Sequence, residues 1–556
     1  MTDKHCRWAG WGRETDALKL SDRPKLQAYL AETLGGLPPR AEEPPPLESI
    51  DAAPSRLSET QLAAVVEIVG DEQVRRDNAS RLKFSLGKSY PDLIRARSGR
   101  IEPVTDAVVS PADEAQVAAV VEVAARRHLA VVPFGGGTSV VGGVDPRMGS
   151  QQAVITLDLS RLNELRIDEN SLLIDVGAGA FGPDIEATLS TADLTLGHFP
   201  QSFEFSTIGG WVATRGAGQN STRYGKIEDL VQAVRIVTPQ GRIETRNVPA
   251  SATGPSVLQA MIGSEGTLGV ITSVIARVRR RAEATAWRAF LVGDFEVGCR
   301  LLRALEQAEL PLAVVRLSDA EETRWMSKAS EGRPSLVTRL GKWYVQQTMR
   351  RRGFESAEVC FLLASFEGSK PTVRLAAAQA QRIAKRFGAI GLGSSPGKGW
   401  QQDRFRLPYL RDELIARRLM VDTLETATTW SNLGSLYESV RETLARSMRE
   451  SGAAGVVMCH VSHLYSSGAS LYFTYMAPQV QGQELSQWHT VKQATTSAIV
   501  AGGGAISHHH GIGQDHLPLE AEDGPLAVAA MVAAKERLDP DGIMNPGKLF
   551  GRPGPE

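Results

Sequence analysis

Three glycine clusters lie close together in this chain and restrict what it can fold into. The first is Pro133, Phe134, Gly135, Gly136, Gly137, Thr138 and Ser139. The second runs from Phe205 to Gly218 and the third from Gly263 to Gly269. Glycine lets the main chain approach a ligand closely and offer its N–H groups, and the Thr138 and Ser139 hydroxyls can add to them. A pyrophosphate is the natural guest of such a loop, although alone the loop reads equally as a tight turn. It matches neither GxGxxG nor GxxxxGK[ST], so nicotinamide-Rossmann and P-loop sites are not supported. Gly397-Lys398 lacks the P-loop spacing and reads as a loop. In the second cluster, small residues around Gly209-Gly210 suggest backbone passing something flat or bulky, or a tightly packed helix start. Three such clusters, each bounded by strands, imply one extended, dinucleotide-sized ligand.

The surrounding pattern gives the organisation. Residues 1 to 56, with prolines at 44–46, read as a loosely structured or partly helical lead-in. Ser58 and Gln61 form a capping-box pattern that predicts a helix over 58–70. Thr105–Ser110, Pro111–His128 and Leu129–Val132 predict strand, helix and strand, a unit in which a parallel pair presents the first glycine loop. Further strands are expected at 153–158, 164–168, 172–177, 230–238 and 270–278, with a helix at 181–192. After Arg279–Arg281 the composition changes, and strands alternate with amphipathic helices. The expected fold is α+β: a mainly helical lead-in over 1–100, a domain of two subdomains built around the glycine clusters over 101–281, a second domain with an antiparallel sheet and flanking helices over 282–500, and a returning segment over 501–556. At 556 residues the chain is long for one core.

A formal net charge of −1 gives no footprint for nucleic acid. The four cysteines (Cys6, Cys299, Cys360 and Cys459) are scattered, which fits a reducing compartment rather than a disulfide framework or a thiolate zinc site. No secretory leader, membrane-spanning run or peroxisomal address is visible, so a cytoplasmic protein is expected.

The three clusters, in this order and spacing, with the closing Asp539-Pro-Asp-Gly and Asn545-Pro-Gly-Lys548, resemble the FAD-binding domain of the vanillyl-alcohol-oxidase/PCMH superfamily. Further motifs narrow this to a resemblance to the alkyldihydroxyacetonephosphate synthase family. They are Trp8-Ala-Gly-Trp-Gly12, Phe203 to Val212, Tyr224 to Val231, Arg316-Leu-Ser-Asp319, Tyr409-Leu-Arg-Asp412 and Ser507-His-His-His-Gly-Ile-Gly513. The resemblance implies FAD held by residues 133–139, by Gln201, Ser202, Ser206, Thr207, Gly209, Gly210, Thr214, Arg215, Gly216 and Ala217, and by Gly263, Ser264, Glu265, Gly266, Thr267, Leu268, Gly269 and Val270. The first loop carries no histidine or cysteine for attachment and the resemblance gives His198 no such role, so non-covalent FAD is expected.

Three adjacent imidazoles cannot all face one way, so at most two of His508, His509 and His510 line one pocket. A metal site, an exposed tract and a polar active-site wall are the readings; no ligand spacing is diagnostic, and no metal is expected. The resemblance makes the triplet an active-site wall needed for activity. It gives Tyr472, otherwise a plain cross-strand aromatic, the role of proton acceptor and donor. It gives Arg411 the substrate phosphate and makes Arg316 a further arginine needed for activity; either could instead form a structural ion pair. The implied reaction exchanges the acyl group of an acyl-dihydroxyacetone phosphate for a long-chain alcohol, through a covalent adduct at flavin N5 and with no net redox. The alternative is an FAD-dependent dehydrogenase or oxidase of 2-hydroxy acids. Lipid substrates, a homodimer and peripheral membrane contact are the partners expected.

Overall fold

The computed structural model describes residues 4–41, 43–329, 345–355, 357–516 and 518–550; the extreme termini read above lie outside them. Two sheets carry the glycine clusters. The first has the order β1 (Val74–Arg75), β2 (Ala107–Val109), β4 (Ala153–Asp158), β3 (Leu129–Phe134). β2 and β3 are parallel, as the strand–helix–strand pattern suggests, but they do not pair: β4 lies between them, parallel to both. The apolar run of β4, buried at every position, needs neighbours on both edges as well as both faces. The helix Glu114–Arg126, capped by Asp113, packs Val117, Val120, Val121 and Ala124 on this sheet with the helix Glu59–Val69. The Ser58–Gln61 capping box forms as read.

The second sheet is antiparallel, in the order β5 (Leu165–Asp168), β6 (Leu173–Gly177), β10 (Val270–Arg277), β8 (Val231–Thr238), β9 (Gly241–Glu244). A short pair, β7 (Leu194–Thr195) with β11 (Arg279–Arg280), flanks it.

The chain beyond builds a seven-stranded, wholly antiparallel sheet. Its order is β15 (Ile390–Gly393), β12 (Ala284–Val292), β14 (Cys360–Gly368), β13 (Leu312–Ser318), β17 (Val456–Leu464), β18 (Gly468–Pro478), β16 (Leu419–Thr429). Helices Phe295–Glu306, Lys370–Arg386, Leu433–Glu450 and Glu484–Ala501 pack against it around the largest core.

One expectation is corrected. Gly397-Lys398 is not in a loop but in the helix Ser395–Asp403, where Gly397 lies against the Trp287 ring. Of the two readings of the lead-in, the partly helical one agrees with the structure: the helix Pro24–Thr33 forms, and Leu20, Leu26 and Leu30 are fully buried against Leu410, Leu414 and Trp325. Sparse, widely spaced apolar residues hid this contact, because its partners lie hundreds of positions away. The C-terminal segment returns to the first sheet, where the Met544 main chain bridges to Val131.

Candidate active site

The glycine clusters converge. A Cβ on Gly135 would lie 2.2 Å from Thr207 Oγ1, and one on Gly136 would lie 1.8 Å from the Phe205 carbonyl oxygen. Gly266, at φ +75°, faces Pro133, and Gly263, at φ +86°, faces the Arg215 side chain. Each cluster therefore abuts the others with no room for a side chain, as one shared ligand requires. Several polar atoms here are buried and have no protein partner among the described residues: Thr207 Oγ1, Ser264 Oγ and Asn545 Oδ1. Buried oxygens without hydrogen bonds are costly, and a dinucleotide's polar edges would satisfy them. The residues present fit FAD.

The remaining residues of these clusters divide between main-chain scaffolding and the core. Ser139 Oγ accepts from Gly143 N at 2.9 Å. Gln201 Nε2 donates to the Arg404 carbonyl, and Trp211 Nε1 donates to Ser206 Oγ, which donates to the Ser202 carbonyl. Thr214 and Thr267 hydroxyls donate to the carbonyls of Gly210 and Ser264. Arg215 donates to the Ile262 and Gln259 carbonyls, and Gly216 N donates to the Trp211 carbonyl. Leu268 and Val270 send their side chains into hydrophobic cores, as does Ala217 into a buried position, so only their main chains remain for a ligand. Phe134 packs on Phe84 and His5. Thr138 is half-buried at the end of the loop, and Gly137 and Gly269 turn the chain at φ +66° and +155°. Gly136→Ala is expected to purify with less than about a tenth of the parent's flavin absorbance at 450 nm, because its methyl group must displace a backbone carbonyl.

The cap sheet supplies the other wall. Antiparallel partners directly opposite share a face, and Glu425 (β16), Tyr472 (β18) and His460 (β17) are such partners, side by side in one row. Tyr472 stacks on His460 at 4.8 Å between ring centroids and on His509 at 5.9 Å, with His510 edge-on at 5.8 Å. His508 turns away, its Nε2 2.5 Å from the Tyr465 hydroxyl and its ring stacked on His463. Two imidazoles of the triplet thus share the tyrosine's pocket and the third does not. Burial pushes all three imidazoles below the ordinary histidine range. Burial likewise raises the Tyr472 phenol to about 12, with the Glu425 charge adding to the shift and Thr423 and Arg411 opposing it.

Glu425 is the residue that the sequence reading missed. Its carboxylate, 1% exposed, accepts from the main-chain N–H of His508, from His509 N at 3.1 Å, from His510 N at 2.8 Å and from the Ser507 hydroxyl at 2.8 Å. It also lies 3.3 Å from His510 Nδ1. Burial raises its pKa, but the His510 and His508 imidazoles and these N–H groups outweigh burial and hold it at about 2. A charged residue within the buried strand Leu419–Thr429 was the available signal. On the flavin side Glu265 does the same for the end of the loop, accepting from Ile512 N at 2.7 Å and Gly513 N at 2.8 Å. Lys226, in the Tyr224–Val231 motif, donates to the His508 carbonyl at 2.7 Å. The histidine loop is therefore held from both walls.

Arg316 pairs with Glu322 at 2.7 Å, and the same Glu322 oxygen lies 3.0 Å from His460 Nδ1, so Arg316 reaches the back of the Tyr472 row through two side chains. Arg411 differs. Asp412 pairs with Arg7 and Glu413 with Arg417 and Arg40, which leaves Arg411 without a carboxylate partner among the described residues. One Nη donates to the Lys88 carbonyl at 2.9 Å, Nε is buried without a partner, and the guanidinium lies within electrostatic reach of both Tyr472 and His510. His463 with His508 and His509, and Glu425 with His509 and His510, also bring donor atoms within 4.8 Å of one another. His198 is buried beside Trp211, and both its ring nitrogens lack partners among the described residues.

Residues 105–246 match the FAD binding domain family, and residues 281–549 match the C-terminal domain family of FAD linked oxidases. The chain is an FAD-linked flavoprotein with the PCMH-type fold. It is 34% identical to the alkyldihydroxyacetonephosphate synthase of Dictyostelium discoideum over 86% of this chain and 79% of that one. It is 33% identical to the Trypanosoma brucei brucei synthase over 88% and 80%. A solved alkyldihydroxyacetonephosphate synthase superposes with a TM-score of 0.85 at 29% identity, covering 98% of this chain and 99% of the other. The protein belongs to the alkyldihydroxyacetonephosphate synthase family.

Proposed function

We propose that the protein replaces the acyl group of an acyl-dihydroxyacetone phosphate with a long-chain alcohol. The C1–O bond to the fatty acid breaks, a C1–O bond to the alcohol forms, and the fatty acid leaves with no net oxidation or reduction. The observation that supports this best is the pairing of a buried phenol, stacked between imidazoles, with an arginine that has no carboxylate partner among the described residues. A guanidinium without an internal counter-ion suits a phosphate dianion, which it can bind through two parallel hydrogen bonds. In this reading Arg411 fixes the phosphate, and Tyr472 takes and returns the C1 proton with His509 and His510 beside it. Arg316 orders His460 through Glu322.

FAD is held without a covalent link by the three glycine clusters, with Thr207, Ser264 and Asn545 as side-chain partners. When bound, FAD would supply the electrophilic ring system for the chemistry at C1. The division at 100/101, 281/282 and 500/501 separates lead-in, flavin, cap and returning segments. Among the described residues no helix is long and apolar enough to cross a membrane. A cytoplasmic protein with peripheral contact at the membrane that delivers its substrates fits this reading. A homodimer completes the reading; vesicle co-sedimentation and analytical ultracentrifugation test these last two expectations.

A 2-hydroxy acid separates this reading from a dehydrogenase. Added anaerobically to the holoenzyme, D-lactate and glycolate are expected to leave the flavin absorbance unchanged; full bleaching would overturn the exchange reading.

A further inference from the structure

The motif Trp8-Ala-Gly-Trp-Gly12 has no part in the reaction described above, yet it is tightly built. Arg7 N donates to the Gly12 carbonyl at 2.8 Å and closes a turn. Asp412 Oδ2 accepts from Trp11 N at 2.6 Å and from Arg7 Nη2 at 2.7 Å. Both glycines of the turn are demanded by this contact. A Cβ on Gly10 would lie 2.6 Å from Asp412 Oδ2, and one on Gly12, at φ +74°, would lie 2.0 Å from the Tyr409 ring. Tyr409 and Asp412 flank Arg411 on the helix Leu407–Ala416. A second grip comes from Lys88, whose buried Nζ donates to the Arg7 and Trp8 carbonyls at 2.9 and 3.2 Å. Its main chain reaches both sites: the carbonyl accepts from Arg411 at 2.9 Å, and the N–H donates to the Ser139 carbonyl of the first glycine loop at 2.6 Å.

We propose that the Arg7–Gly12 turn is a positioning element that aims the Arg411 guanidinium, through Asp412, Tyr409 and Lys88, and keeps it in register with the first glycine loop. The turn acts by fixing the helix that carries Arg411 and the carbonyl that Arg411 bonds to, so it governs phosphate affinity. This rests on the reading that Arg411 binds the substrate phosphate.

The test is a double-mutant cycle on the holoenzyme, with the Kd of dihydroxyacetone phosphate measured by calorimetry and flavin content measured alongside. Arg411→Lys is expected to weaken binding about tenfold or more, since bidentate geometry is lost. Gly12→Ala is expected to weaken it about tenfold with the flavin content unchanged, and the double variant to bind no worse than Arg411→Lys alone. An unchanged Kd in Arg411→Lys sinks the phosphate reading itself. Weakened binding in Arg411→Lys with an unaffected Gly12→Ala, or with effects that multiply in the double variant, overturns the positioning role while that reading stands. A purely structural turn would lower the melting temperature and leave Kd alone. If Gly12→Ala yields no folded holoenzyme, Asp412→Asn replaces it, keeping an acceptor for Trp11 N–H while removing the Arg7 ion pair, and the same two outcomes decide.

Discussion

Tyr472→Phe is expected to lower alkyl exchange about a thousandfold while leaving flavin content and the visible spectrum unchanged. The substitution removes one oxygen and keeps the ring between His460 and His509, so the stacking at 4.8 and 5.9 Å persists. What is lost is the phenol hydroxyl that lies among these imidazoles. Its pKa, raised to about 12 first by burial and then by the Glu425 charge, makes it a protonated group at neutral pH and a strong base once deprotonated. Its neighbours must therefore share the proton, and no imidazole replaces it in place. A variant that keeps more than about a tenth of the parent rate would remove Tyr472 from the proton-transfer role.

Glu425→Ala is expected to have the largest effect on stability. It leaves the N–H groups of His508, His509 and His510 and the Ser507 hydroxyl without their buried acceptor. At about 1 to 3 kcal/mol for each buried group left unpaired, a loss on the order of 4 kcal/mol is expected after partial relaxation, read as a lower urea midpoint. The pH dependence has a definite sign. The carboxylate is held at about 2 in the folded protein against an ordinary 4.5. Its contribution is therefore fully present above pH 4.5 and disappears as the pH falls toward 2. The stabilities of parent and variant should converge across that window and stay apart above it. Exchange should also fall, by about a hundredfold, because the loop that carries His509 and His510 loses its anchor. Equal midpoints at pH 7 would show that the loop does not depend on this carboxylate.

The cofactor site was legible in the sequence because it is built from main chain. Glycine is chosen for backbone shape, so Gly135, Gly136 and Gly266 carry their structural reason in their identity. Tyr472, Arg411 and the histidines entered the candidate site through resemblance alone, since a tyrosine in an alternating strand or an arginine on a helix has several ordinary uses. Long-range pairing was not legible. Nothing local to Glu425 says that its acceptors face a loop more than eighty positions onward, and nothing near Asp412 or Lys88 points to residues 7–12. The burial of the lead-in was hidden for the same reason, because its apolar residues are too sparse to predict a core whose other half is the Leu410–Leu414 face. The insertion of β4 between β2 and β3 is a matter of strand order, which periodicity does not encode.

The central claim is exchange of an oxygen substituent at C1 without net redox, and one measurement addresses it directly. Holoenzyme is incubated anaerobically with palmitoyl-dihydroxyacetone phosphate and labelled hexadecanol, with flavin absorbance followed throughout. The account expects the label in hexadecyl-dihydroxyacetone phosphate, palmitate released in equal amount, and a flavin that ends as oxidised as it began. Absence of the labelled ether from a fully flavin-loaded enzyme, or product formed only with stoichiometric bleaching of the flavin, would contradict it.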